Sequence, residues 1–210
     1  AGLSAALQAA ACGAEVILID EGPRLGGALG YARFDADGAR GEALSHRLAR
    51  RVAAAAGIRV LSDATCNGWF ADNWLAVIRG NRLYKLRAKA VVIATGSLEQ
   101  PAVFRNNDLP GIMLGSAAQR LVHLYGVRPG RRAVVLTANA DGYGVALDLA
   151  EAGIAVQAVV DLRSPDRLGP LARAVQNRAI RIIAGHAISA AQGNLGGQHV
   201  ASVQVNRIVD

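Results

Sequence analysis

The sequence predicts an α/β protein of two parallel-sheet units, each of the mononucleotide-binding kind, with a small antiparallel β insertion in the first. Three observations carry this. Short apolar, β-branched runs at 15–20 (EVILID), 132–137 (RAVVLT) and 155–161 (AVQAVVD) suit strands buried on both faces of a parallel sheet. Helix-like segments alternate with them. The strand–helix–strand order then begins again after a Pro/Asn/Asp/Gly-rich connector at 105–112 (RNNDLPGI). The connector divides the chain into units 1–104 and 105–210, which are two related halves and not a short-period array.

In the first half, residues 3–12 read as a helix closed by Gly13 at the position that favours a left-handed residue. The strand 15–20 follows, then a loop, Glu21-Gly22-Pro23-Arg24-Leu25-Gly26-Gly27. Residues 40–56 form an amphipathic helix with Leu44, Leu48 and Val52 on one stripe. Ile58 to Leu61 is a strand, and 67–78 pairs with 82–86 around the turn Gly80-Asn81. Ala90 to Ala94 reads as one more buried strand. Trp69, Phe70 and Trp74 are expected to cover a core. In the second half the spacing predicts helices at 114–125, 143–152 and 167–177, and strands at 132–137, 155–161, 180–184, 186–191 and 199–209. Both ends read as excision points, so the expected fold is two Rossmann-like units truncated at both ends.

Composition removes several functional classes. The chain has 210 residues, 52% hydrophobic and 19% charged, enough to bury a core without staples. No run of about 18 apolar residues exists, and no basic leader precedes an apolar stretch, so neither a membrane partner nor a signal peptide is indicated and a cytoplasmic location is expected. Two cysteines, Cys12 and Cys66, exclude a disulfide framework and a thiolate zinc site. The formal charge of +7 is carried by scattered arginines, and aromatics are 4%, so no nucleic-acid partner is expected. His46, His123, His186 and His199 are dispersed without metal-ligand spacing and read as surface or packing residues. No nucleophile elbow or carboxylate pair marks a catalytic centre.

The informative residues point to a dinucleotide. Such a site has three glycines between the first strand and first helix, then an acid about 20 residues on. Here the tail of that fingerprint is present: Gly2 stands where the third glycine permits close helix–strand packing, and Asp20 ends the next strand. A carboxylate there accepts from both ribose hydroxyls, while a helix N-terminus receives the pyrophosphate. It would also meet a 2′-phosphate with like charge, which favours NAD over NADP. Gly26 and Gly27 permit close backbone approach, and Thr95-Gly96 gives a strand the small ending that lets it pass beside a ligand.

Ala1-Gly2-Leu3, Gly26-Gly27 and Ala94-Thr95-Gly96 resemble the FAD/NAD-linked flavoproteins of the pyridine nucleotide-disulfide reductase superfamily. The stretch from Arg82-Leu83-Tyr84-Lys85-Leu86-Arg87-Ala88-Lys89 through Val91-Val92-Ile93-Ala94-Thr95-Gly96-Ser97-Leu98-Glu99-Gln100-Pro101 to Asn106-Asn107-Asp108-Leu109-Pro110-Gly111-Ile112-Met113 narrows the likeness. It resembles the family of alpha subunits of heterotetrameric sarcosine oxidase, with the hydrogen cyanide synthase and opine oxidase subunits. The likeness covers essentially the whole chain. Gln100 departs from the arginine that the family often carries, and the family's first strand and first two glycines would precede Ala1.

The resemblance implies a nucleotide-binding segment of a flavoenzyme that oxidatively demethylates a secondary amine. NAD or FAD would lie in the first unit, with FAD and FMN in an assembled complex containing beta and smaller subunits. It implies dinucleotide contacts at Gly2, Asp20, Gly26, Gly27, Thr65, Cys66, Thr95 and Gly96, with Glu21 and Arg24 as further candidates for ribose and phosphate, and no catalytic residue in this segment. Two other readings stay open: an NAD(P)H-dependent FAD reductase, and a non-catalytic interaction module with a vestigial site. In the second half, 137–142 (TANADG) keeps one glycine of a nucleotide loop. Thr137 and Asn139 would crowd a pyrophosphate and Asp141 would repel it, so this unit is expected to be degenerate, although Asp161 still ends its second strand.

Overall fold

The computed structural model describes residues 1–33 and 41–209. Arg40, expected to begin a helix, and Asp210 lie outside the described residues. The chain divides into two compact units: 1–30 with 42–97, and 31–41 with 98–210.

In the first unit, α1 (Gly2–Ala11) leads through Gly13, at φ +82°, into β1 (Val16–Ile19). The glycine takes the left-handed conformation that terminates the helix at little steric cost. A 3-10 turn (Gly27–Gly30) precedes α2 (Gly41–Ala54). β2 (Ile58–Leu61) pairs parallel with β1, Val16 opposite Ile58 and Ile19 opposite Leu61. An antiparallel meander follows: β3 (Ala64–Phe70), β4 (Trp74–Arg79) and β5 (Arg82–Arg87), with a bulge between Cys66 and Gly68. Its inner face joins a small core of Leu61, Ala64 and Val77, backed by Ile19, Leu75, Tyr84 and Leu86.

Three expectations fail here. Residues 67–78 are not one strand, because β3 ends at Phe70 and a 3-10 turn (Ala71–Asn73) folds β4 back on it. Ala90–Ala94 is not a strand, and Val92 and Ile93 stand 71% and 64% exposed. A buried strand needs ladder partners on either side. Among the described residues β1 pairs only with β2, and no strand runs alongside 90–94. Trp69, Phe70 and Trp74 do not cover a core: all three are exposed. Phe70 opposes Trp74 in the register, on the opposite face from Val77, which faces inward. Trp69 lies at the meander's rim, where its Nε1 donates to Asn73 Oδ1.

In the second unit, β6 (Arg132–Thr137), β7 (Ala155–Asp161) and β8 (Arg181–Ala184) form a parallel sheet in the order β6-β7-β8. The helices are α3 (Gly115–Tyr125), α4 (Asp141–Glu151) and α5 (Pro170–Asn177), and β9 (His186–Gly193) pairs antiparallel with β10 (Val200–Arg207). Every residue of α4 from Gly142 to Leu149 is buried. Its Tyr143, Leu147 and Leu149 pack with Val159, Leu171 and Val175 in the principal core of this unit. An apolar residue buried here stabilises by about 1.5–3 kcal/mol. That packing orders the loop before α4 and the end of β7.

Candidate functional site

In the first unit the structure brings two groups of expected residues together. The first surrounds the start of α1. A Cβ on Gly2 would stand 3.2 Å from the Ala94 Cβ, so the helix begins against the Ala94-Thr95-Gly96 segment. Among the described residues no side chain caps α1, and the first turn of a helix directs its N–H groups towards an anion. Thr95 and Gly96 are exposed, with Gly96 at φ +75°.

The second group lies at the end of β1. Asp20 N–H donates to Leu61 O, and Asp20 O accepts from Ala64 N–H, which fixes the acid beside the β2–β3 turn and next to Thr65. Asp20 Oδ1 accepts from Gly22 N–H at 2.8 Å. Among the described residues no donor takes Oδ2, so one carboxylate oxygen remains for a hydroxyl. Asp63, at φ +50°, donates its N–H to Gly22 O and pins the same loop. The pattern did not mark Asp63, but an acid at a tight turn that tolerates positive φ is a recognisable signal. Glu21 and Arg24 are exposed. Thr65 and Cys66 are exposed on β3, with Cys66 Sγ 3.6 Å from Gly68 O.

The paired glycines have separate causes. A Cβ on Gly26 would collide with Ser45 Oγ on α2, and its φ is +128°. Ser45 is fully buried. Gly26 is therefore accounted for by helix packing. Gly27, at φ +55°, has nothing within 4 Å of its Cβ position and presents an open backbone.

The second unit fills the corresponding place with its own side chains. Asp161, at the end of β7, is fully buried. Its Oδ1 accepts from Arg163 N–H at 2.8 Å and Nε at 3.1 Å, and its Oδ2 from Arg163 Nη2 at 2.8 Å and Tyr143 Oη at 2.6 Å. Burial alone would raise this carboxyl, but the hydrogen bonds from Arg163 and Tyr143 outweigh it and hold the group below the usual carboxylate range. Burial, with Asp161 beside it, pushes the Tyr143 hydroxyl well up. The loop before α4 is equally closed. Thr137 fills the space a Gly142 Cβ would need, Thr137 Oγ1 donates to Asn139 O at 3.0 Å, and Asn139 Oδ1 accepts from Asp141 N–H at 3.0 Å. Asp141 places a negative charge in the helix's first turn, where a phosphate would sit.

Two further polar residues, Asp148 and Glu99, escaped the sequence reading. Asp148, fully buried on α4, accepts at Oδ2 from Gln119 Nε2 at 2.7 Å and Arg33 N–H at 3.3 Å. His123 Nε2 lies 3.1 Å from Asp148 Oδ1, within ion-pair distance but not aligned for a hydrogen bond. Burial pushes the Asp148 carboxyl up. Glu99 caps α3, accepting from Gly115 N–H at 2.9 Å and Ser116 N–H at 2.8 Å. The partners of Glu99 and Asp148 lie far from them in the chain, which leaves no local pattern to read. Among the described residues no group of three or more His, Cys, Asp or Glu could hold a metal, and no helix is long and apolar enough to cross a membrane.

A helix start beside an acid-ended strand, within an α/β unit, is the layout of a dinucleotide fold. Residues 1–204 match the family described as pyridine nucleotide-disulphide oxidoreductase, and the chain belongs to it. It is 34% identical over 214 residues to sarcosine oxidase subunit alpha of Corynebacterium sp. (strain P-1), covering 94% of this chain and 22% of that protein. It is 31% identical over 219 residues to sarcosine oxidase subunit alpha of Rhizobium meliloti (strain 1021), covering 98% and 21%. This chain thus spans about a fifth of the length of these relatives. Among solved structures, thioredoxin reductase of T. acidophilum superposes with a TM-score of 0.72 at 18% identity, covering 97% of this chain and 66% of that one, a likeness of fold.

Proposed function

We propose that the first unit binds an adenine dinucleotide, NAD or FAD, within a sarcosine-oxidase-like flavoenzyme of which this chain is a segment. The observation that carries this is Asp20, fixed at the end of β1 with one carboxylate oxygen already on Gly22 N–H and the other without a donor among the described residues. Gly2, Thr95 and Gly96 frame the uncapped start of α1, where the pyrophosphate would lie. Thr65, Cys66 and the open backbone of Gly27 line the approach, with Glu21 and Arg24 at its rim. Gly26 supports the site by letting α2 close on the loop.

A bound flavin or nicotinamide supplies the electron-transfer chemistry. The residues of this chain bind and orient the adenosine end, and the proposal assigns none of the described residues a role as acid, base or nucleophile. The names of the relatives support a role within a larger oxidase of several subunits. The sequence resemblance extends the proposal to oxidative demethylation of a secondary amine, with FAD and FMN elsewhere in a cytoplasmic complex containing beta and smaller subunits. The closed second unit argues against the reading as a reductase that uses NAD(P)H, because that activity needs a nucleotide at residues 137–142.

Titration of the full chain with NAD and NADP, followed by intrinsic fluorescence, tests the assignment. At least tenfold tighter binding of NAD is expected, because a 2′-phosphate beside Asp20 brings two negative groups together at a cost of about 1.4 kcal/mol or more. Equal affinities would remove the role given to Asp20.

A further inference from the structure

The solvent face of the β3–β5 meander is apolar and cationic at once. Phe70, Trp74, Ile78 and Leu83 are 62%, 42%, 41% and 58% exposed on it. The register places them together: Phe70 opposes Trp74, Trp74 opposes Arg87, and Ile78 opposes Leu83, with Lys85 between. Residues on this face alternate with Leu75, Val77, Tyr84 and Leu86, which face the core. A contiguous apolar face bordered by charge is a surface built to be covered.

Its charge says by what. The register puts Lys85 and Arg87 on this face, whereas Arg79 and Arg82, which oppose each other, fall on the other face with Val77 and Tyr84. Asp72 lies 3.5 Å from Arg87, and both are largely exposed, so it offsets little of this charge. We propose that this face docks a separate protein subunit whose contact surface is apolar at its centre and ringed by Asp and Glu. A second copy of this chain would set Lys85 and Arg87 against the same two cations and is disfavoured. Nucleic acid fits less well, because the rings are occupied. The Arg87 guanidinium lies 5.8 Å from the Trp74 ring centre, and the Phe70 ring sits where a Cβ on Gly68 would be. Ile78 and Leu83 offer no stacking surface. The proposal stands independently of the nucleotide site.

The test is a photocrosslink from benzoylphenylalanine placed at Leu83, with the full chain in its purified native assembly. The expected adduct joins this chain to a different polypeptide, at a peptide with an apolar residue flanked by at least two carboxylates. Its yield should fall about fivefold in Lys85→Glu/Arg87→Glu at unchanged melting temperature. It should also fall on raising salt from about 0.05 to about 0.5 M in the protein without the charge reversals. Overturning results are an adduct within the same polypeptide, to a second copy or to nucleic acid, no adduct, or a yield indifferent to salt. Nucleotide binding would be untouched by any of them, which separates this failure from failure of the dinucleotide assignment.

Discussion

Tyr143 donates its hydroxyl to Asp161 across 2.6 Å inside the second unit, and Arg163 closes on the same carboxylate from the other side. The pair joins the first turn of α4 to the end of β7, the two elements that would hold a nucleotide in a working unit. Four donors satisfy the acid, so ribose hydroxyls find no acceptor there. These bonds clasp the start of α4 to the end of β7, which supports the reading of this unit as a nucleotide fold that has lost its ligand.

Removing the clasp should cost stability and leave binding alone. Asp161→Asn breaks a buried ion pair and leaves Arg163 under-compensated, with an expected loss of about 3 kcal/mol. Denaturant unfolding measures the loss. A parallel dinucleotide titration should match that of the unsubstituted chain.

The same carboxylate sets an acid limit. Its folded pKa lies below the ordinary value, so its stabilisation is present above about pH 4, the unfolded value, and is lost as pH falls through the lower folded value. Melting temperatures recorded from about pH 7 to about pH 2 should show this decline, with a shallower one in Asp161→Asn.

Asp148 has the opposite sign. Burial raises its folded pKa, so its favourable contribution is greatest below the unfolded value and is lost as pH rises through the folded one. An amide in its place keeps a carbonyl for Gln119 Nε2 and Arg33 N–H and can present its N–H to His123 Nε2. Asp148→Asn should therefore cost less than about 1 kcal/mol at neutral pH, well below Asp161→Asn, when the two are unfolded side by side.

Gly26 and Gly27 should separate by substitution. Gly26→Ala meets buried Ser45 and a strained φ together, and should destabilise the first unit by about 2–3 kcal/mol with or without nucleotide. Gly27→Ala adds a Cβ into open space at φ +55°, a cost of about 1 kcal/mol. Thermal melts read both effects.

Most of the fold was legible because its strands are short β-branched runs. Ile58–Leu61, Arg132–Thr137 and Ala155–Asp161 end where the pattern put them. Ala90–Ala94 shows the limit: its composition is that of a buried strand, but pairing depends on a neighbour that composition does not report. Trp74 and Phe70 mislead for a related reason, since aromatic residues suit a half-buried sheet on either face. Asp20 could be read from a spacing, whereas the partners of Asp161 and Asp148 depend on tertiary placement. Tyr143 is an ordinary core aromatic until β7 brings an acid beneath its hydroxyl.

Mass spectrometry of small molecules released from the denatured full chain, compared with Asp20→Ala, tests the dinucleotide assignment most directly. The account predicts an adenine dinucleotide lacking a 2′-phosphate, with occupancy at least about tenfold lower in the folded variant, the loss of roughly 1.4 kcal/mol or more of charge-assisted hydrogen bonding. Release of NADP, of no adenine dinucleotide, or of equal amounts from both proteins would contradict it.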